Sequence, residues 1–289
     1  MKYGVHYGYW AQEWDADVPA LCQRAQRTGL QILEIGAACI QNKTEAELAA
    51  IRDAADRCGV ELSCGMGLPV DRNIADRDPA VRSAGVQYMQ EMIRRAAGAG
   101  IHKIAGILYA SWFYDAKKPV YKEETRAYSI ENMQQLAEYA KQYGIVLMME
   151  VCNRFATYML NTAAEASEYV RAVGQDNVKV MLDTFHMNIE EDHFADAIRT
   201  AGSGLGYIHI CESNRKLPGQ GHLPWPEILG ALREIRFDGP AVCECFVNMR
   251  GAIAHDLKTW RELRPDYSET GKDQDLMHSI RYLKELQNQ

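Results

Sequence analysis

The sequence predicts an α/β fold of the (β/α)8 TIM-barrel type, as a single domain over residues 1–289. Short apolar runs alternate with longer segments of helical period from one end of the chain to the other. There are eight such runs in 289 residues, the strand count and approximate length of that barrel. No Pro/Ser-rich linker or break in composition divides the chain. An open doubly wound sheet, the main rival, is signalled by a Gly-rich fingerprint after its first strand. That position reads Tyr7-Gly8-Tyr9-Trp10, which is no such fingerprint.

Taken in order, the expected strands are 3–7, 32–36, 60–64, 103–108, 145–150, 178–183, 207–210 and 241–246. Several are apolar at consecutive positions, as in a parallel sheet covered on both faces. Helical patterns fill the intervals. Between 123 and 142, Ala127, Ile130, Met133, Ala137 and Ala140 form one stripe, the spacing of a helix docked along one face. Gly144 then suits a left-handed C-terminal cap. Thr44-x-x-Glu47 and Thr162-x-x-Glu165 are capping boxes, in which hydroxyl and carboxylate each satisfy a free N–H at a helix start.

Apolar residues make up 47% and charged residues 25%, which excludes a disordered chain, a collagen and a coiled coil. No run of apolar residues is long enough for a membrane span, and the polar, aromatic N-terminus lacks a signal-peptide core. The expected location is cytoplasmic, with no membrane partner. A net charge of −7 argues against a nucleic-acid partner, which would be drawn to a basic surface. The eight cysteines have no C-x-x-C spacing and read as small buried hydrophobes of a reducing compartment rather than a disulfide framework.

Barrel enzymes carry their chemistry at the C-terminal ends of the strands. Expected strand five ends in Glu150, strand six in Asp183, strand seven carries His209 and strand eight Glu244, each one β–α unit after the last. Any one of these carboxylates, taken alone, is equally well read as the cap of the following helix. Three at one rim repel each other unless a cation lies between them, and burying even one without a partner is costly. Glu150, Asp183, His209 and Glu244 are therefore the expected metal ligands. Their oxygen-rich set suits Mn²⁺, Co²⁺ or Mg²⁺ better than a thiolate-loving ion. His186 and Arg215 follow strands six and seven closely enough to reach the same cleft. Asn153 and Arg154 are placed either to orient Glu150 or to form a surface salt bridge. Trp14, Met66 and Trp112 follow strands one, three and four, and Phe246 ends strand eight. These four are core, or walls against the apolar faces of a sugar.

The run 178–192, which includes Asp183-Thr184-Phe185-His186-Met187-Asn188, closely resembles the D-tagatose/D-psicose (D-allulose) 3-epimerases. So do Glu150-Val151-Cys152-Asn153-Arg154-Phe155, Glu212-Ser213-Asn214-Arg215, the stretch 197–202 and the opening Tyr7-Gly8-Tyr9-Trp10 with Glu13-Trp14. The resemblance covers essentially the whole chain. It implies a TIM-barrel isomerase with a divalent metal, usually Mn²⁺ or Co²⁺, that inverts C3 of free ketoses and forms dimers or tetramers. It assigns the metal to Glu150, Asp183, His209 and Glu244, and substrate contacts to His186 and Arg215. Inversion requires a base on one face of the sugar and an acid on the other, and a cation beside O2 stabilises the enediolate between them. Glu150 and Glu244 fill those two catalytic roles. Trp225-Pro226 and Trp260 are candidate subunit contacts.

The sequence departs from this pattern at several places. Ala156 stands where the family usually has a glutamate that contacts the sugar near O1 and O2. His6 replaces a tyrosine or phenylalanine, Cys245 a proline, and Ile210-Cys211 a Thr-Gly pair. The proton chemistry is expected to be retained, with the preferred ketose left open. Three other functions compete. An epimerase of a phosphorylated or modified sugar would use Arg215, Lys216 and the glycines of Pro218-Gly219-Gln220-Gly221. A metal-dependent endonuclease would need a more basic rim and more histidines. A sugar-binding protein without catalysis would not need both Glu150 and Glu244.

Overall fold

The computed structural model describes residues 1–112, 114–115 and 117–288. Its strands are β1 (Lys2–His6), β2 (Ile32–Gly36), β3 (Glu61–Gly65), β4 (Lys103–Gly106), β5 (Val146–Glu150), β6 (Val178–Asp183), β7 (Leu205–Ile210) and β8 (Pro240–Cys243). They close in sequence order into one parallel barrel. Around it lie α1 (Val18–Arg27), α2 (Glu45–Cys58), α3 (Pro79–Gly98), α4 (Lys122–Lys141), α5 (Ala163–Val173), α6 (Thr184–Glu190), α7 (Phe194–Ala201), α8 (Trp225–Glu234), α9 (Gly251–Asp256) and α10 (Glu269–Gln287). The expected fold class is the observed one. No helix among the described residues is long and apolar enough to cross a membrane.

The strands read as unbroken apolar runs because both faces are covered. Outward residues such as Val5, Leu33, Ile35, Leu147, Met149, Leu182 and Ile208 pack into the main core beneath the helices. Ile32, Ala105, Met148, Met181, Tyr207 and Val242 form a separate cluster, the plug of side chains that fills a barrel interior. Side chains alternate along a strand, so the residue two places further on faces the same way. Ile32 is followed in this manner by Glu34, Met148 by Glu150, Met181 by Asp183, Tyr207 by His209 and Val242 by Glu244. The apolar plug thus carries a polar layer on its C-terminal side.

An irregularity in β7 makes that layer possible. Val180 pairs with Leu205, but Met181 pairs with Tyr207, so Gly206 is one surplus residue. A single-residue shift exchanges the two faces of a strand. Beyond it Tyr207 and His209 point inward, and Asp183 and His209 become ladder partners. The sequence reading began this strand at Tyr207 and did not include the bulge.

Other boundaries also differ. β4 stops at Gly106 and β8 at Cys243, where Val5 and Ile210 are the last residues to pair with β8. Glu244 and Phe246 therefore stand in the loop just beyond the strand rather than within it. Gly106 has φ +121°, and a Cβ there would lie 2.1 Å from the Met66 carbonyl oxygen, so only glycine fits. Both capping boxes form, and Gly144 is left-handed at φ +64°. Four of the five residues of the predicted stripe on α4 face the core, Ile130 being the partly buried one. Met133, Ala137 and Ala140 are buried, but Ala127 is exposed. The N-terminal half of α4 docks through hydroxyls, with Ser129 Oγ donating to the Tyr109 carbonyl at 2.6 Å.

The last helix closes against the first β–α unit through a buried polar seam. Arg24 Nε donates to Asp273 Oδ1 at 2.8 Å. Lys272 Nζ donates to the Trp10 carbonyl at 3.2 Å and to Asn248 Oδ1 at 3.1 Å. All eight cysteines are free thiols, and all but Cys58 are buried.

Candidate active site

Glu150 and Asp183 end β5 and β6, His209 is the penultimate residue of β7, and Glu244 follows β8. One ligand atom from each lies within 4.8 Å of the others. At the centre is His209 Nδ1, 3.6 Å from Glu150 Oε1 and 3.5 Å from Glu244 Oε1. It is buried and has no hydrogen-bond partner among the described residues. Burial disfavours charge on this ring, yet Glu244 and Glu34 outweigh it and raise its pKa well above the ordinary value. The surrounding carboxylates demand positive charge at this point, and a divalent cation held by these four residues would supply it.

The two glutamates are tuned in opposite directions. Burial, opposed by His209 and reinforced by the charges of Glu244 and Asp183, raises Glu150 to about 7. Burial also acts to raise Glu244, but Arg215 and His209 overcome it and hold this carboxylate well below its usual value. Such a divergent pair of carboxyls is a recognised pattern for acid–base work.

Asp183 is fully buried and fills the capping role considered for it. Its Oδ1 accepts the Phe185 N–H at 2.8 Å and so caps α6. Its Oδ2 receives Arg215 Nη1 at 2.7 Å. The same Nη1 is 2.6 Å from Glu244 Oε2, a contact whose angle does not suit a hydrogen bond. The Arg215 guanidinium lies over the Phe185 ring, 4.0 Å from its centroid. Its backbone is left-handed, φ +63°, in a loop built around the buried Glu212. That carboxylate accepts from Gly219 N, Leu223 N and Trp225 Nε1.

Glu212 bears on two sequence expectations. A phosphate in the loop containing Gly219 and Gly221 would meet the Glu212 carboxylate, which already holds the Gly219 and Leu223 amides. Trp225, anchored to Glu212 at 2.7 Å, is buried, which leaves Pro226 as the exposed member of that pair, whereas Trp260 is 68% exposed.

His186 Nδ1 faces two donors of Asn153, the backbone N–H at 3.1 Å and the side-chain amide at 2.8 Å. Its proton therefore sits on Nε2, 3.6 Å from Asp183 Oδ2. Burial lowers the ring to about 4, which leaves it a neutral donor. Glu150, Cys152 and His186 also converge. They make a poor ligand set, because Asn153 occupies His186 Nδ1 and burial raises the Cys152 thiol well above its usual value. Neither Asn153 nor Arg154 orients Glu150. Arg154 is 65% exposed and pairs with Glu190, the surface bridge offered as the alternative.

These groups open into a cavity of about 770 Å³. Its lining includes Glu150, His209, Glu244, His186 and Arg215 together with His6, Trp14, Met66, Trp112, Phe246 and Ala156. All the predicted wall residues are thus brought together. His6 Nδ1 accepts the Gly8 N–H at 3.1 Å, and burial lowers its pKa. The neutral ring therefore carries its proton on Nε2 beside the cavity. Two features escaped sequence reasoning. Glu34 is an acid within the apolar run of β2, and Asn153 is the partner of His186. The lone acid in Ile32-Leu33-Glu34-Ile35 was a visible signal; the Asn153 contact joins two distant loops and left none.

Comparisons with known proteins point to one family. Residues 22–263 match the family described as xylose isomerase-like TIM barrel. The chain is 42% identical to the D-psicose 3-epimerase of Agrobacterium fabrum, over 98% of both chains. It is 30% identical to the L-ribulose 3-epimerase of a Methylomonas species, over 92% of both. A crystal structure of D-psicose 3-epimerase in the presence of D-fructose superposes with a TM-score of 0.97, at 41% identity over the full length of both chains. The chain belongs to the ketose 3-epimerases, isomerases built on the xylose isomerase-like TIM barrel.

Proposed function

We propose that this protein inverts C3 of a free ketose, of the D-fructose/D-psicose, D-tagatose/D-sorbose or L-ribulose/L-xylulose type, with Glu150 and Glu244 as its acid–base pair. The observation that carries this reading is the convergence of the two differently tuned glutamates on His209 Nδ1, at 3.6 and 3.5 Å. Glu150, Asp183, His209 and Glu244 hold a divalent cation, Mn²⁺ by preference, with Co²⁺ or Mg²⁺ as substitutes. When bound, that cation supplies positive charge against the negative charge that develops on the substrate oxygens.

One glutamate removes the C3 proton, and the electron pair moves toward the C2 carbonyl oxygen. The other glutamate returns a proton to the opposite face of C3. Reversing the reaction exchanges their roles. A single group returning its own proton would restore the starting configuration, so both are required. His186 Nε2–H and the Arg215 guanidinium hold the oxygens around the reacting carbon. His6 Nε2–H donates to a hydroxyl further along the chain. Trp14, Met66, Trp112 and Phe246 cover the carbon skeleton and exclude water, which strengthens the polar contacts inside.

The barrel as a whole is the catalytic domain. It works in the cytoplasm, where its eight thiols stay reduced, as a homodimer or homotetramer with the exposed Trp260 as a candidate contact. The direct test incubates purified protein and Mn²⁺ in deuterium oxide with D-fructose, D-psicose, D-tagatose and L-ribulose. The expected product is the C3 epimer carrying one solvent deuteron at C3, read by NMR. Failure to form a C3 epimer from any of these sugars overturns the proposal.

A further inference from the structure

We infer that Glu34 is a positioning residue, which fixes the His209 tautomer and so leaves Nδ1 free to bind a divalent cation. Glu34 is 1% exposed. Its Oε2 lies 2.7 Å from His209 Nε2 and also accepts the Tyr207 hydroxyl at 2.7 Å. The Tyr207 oxygen is in turn 2.8 Å from Ser63 Oγ. Since Tyr207 gives its proton to Glu34, Ser63 gives its own to Tyr207, and the chain of donors ends at this carboxylate. The other oxygen, Oε1, rests against Gly65, where a Cβ would approach to 2.6 Å. The bare backbone of β3 makes room for it.

A buried acid in the barrel interior is costly unless a partner holds it, and here the partner is His209. A carboxylate can only accept, so a neutral His209 must carry its proton on Nε2. The lone pair is then on Nδ1, which faces Glu150 and Glu244. Metal-binding histidines are commonly held this way by a carboxylate on the far ring nitrogen, and losing it typically weakens metal binding about 10–100-fold. The inference rests on the cation site proposed above and extends it to a residue outside the four ligands.

The test compares Mn²⁺ binding by wild-type, Glu34→Gln and Tyr207→Phe protein, stripped of metal and titrated calorimetrically. Circular dichroism checks the fold of each variant. Glu34→Gln is expected to weaken Mn²⁺ by about 10–100-fold, and Tyr207→Phe by a smaller factor through the lost hydrogen bond to Glu34. Folded Glu34→Gln protein that binds Mn²⁺ within about twofold of wild type overturns the inference while leaving the cation site standing. If Glu34→Gln does not fold, Tyr207→Phe decides, and unchanged affinity there counts against the role. Wild-type protein that binds no Mn²⁺ overturns the cation site itself. In the Mg²⁺-loaded wild type, ¹⁵N shifts are expected to show His209 protonated at Nε2, and protonation at Nδ1 contradicts the inference.

Discussion

Asn153 aims two N–H groups, one from its backbone and one from its side chain, at a single ring nitrogen of His186. One loop after β5 thereby sets the proton position of a side chain that belongs to α6. Asn153→Ala keeps the backbone donor and loses the stronger of the two. It is expected to lower kcat/KM about tenfold, the equivalent of one net hydrogen bond. Steady-state kinetics with the preferred ketose measure this, and unchanged kcat/KM means that the backbone contact alone suffices.

Glu150→Gln and Glu244→Gln keep an oxygen able to face a cation but cannot move a proton. Each is expected to reduce turnover by about 10²–10⁴-fold, the usual worth of a positioned acid or base. Solvent deuterium should also cease to enter at C3. Full exchange in either variant excludes that residue as a proton carrier.

Removing the cation should cost stability as well as activity, because Glu150, Asp183 and Glu244 then face one another around His209. Saturating Mn²⁺ at 100 times its Kd should stabilise the protein by about 2.7 kcal/mol over the chelated form. Urea unfolding with and without chelator provides the comparison, and coincident curves contradict a cation at this position.

Ala156 is 9% exposed and lines the same cavity as His186 and Arg215. Ala156→Glu adds the acid that the related enzymes usually carry. It is expected to lower KM for D-psicose and to shift the order of preference among ketoses. Product analysis across the four sugars tests this, with an unaltered order as the adverse outcome.

Lys272 provides a pH test far from the proposed centre. Burial, with Arg24 and Arg264 nearby, lowers its pKa from 10.5 to about 8. Below about 8 the amine is charged in both the folded and the unfolded chain, and the fold bears the cost of burying that charge. Between about 8 and 10.5 the unfolded chain holds more proton, so stability rises with pH across that window. Relative to Lys272→Met, wild type should gain stability across the window, as measured by urea midpoints. A flat difference refutes the assignment.

Much of this molecule is legible in its sequence, because a barrel writes each unit as an apolar run followed by a helical pattern. The four strand-end residues Glu150, Asp183, His209 and Glu244 could be placed by that spacing alone. What could not be read is where ladder pairing ends. Glu244 and Phe246 continue the pattern of β8, yet β1 and β7 have no further partners to offer them. Ala127 on α4 misled for another reason, since hydroxyls of Thr125 and Ser129 took the buried positions that apolar spacing assigned to it. Asn153 and His186 are 33 residues apart, and nothing local to either announces the contact.

The surplus glycine in β7 has an evolutionary consequence. Pairing Gly206 into the ladder, by straightening β7, would turn the His209 imidazole toward the surrounding helices, so the bulge has to be kept or its extra residue lost altogether. Descendants of this chain are free to lengthen the loops above the barrel in search of new sugars. The stretch from Tyr207 to His209, by contrast, has no such freedom, since one more paired residue there would turn the imidazole outward.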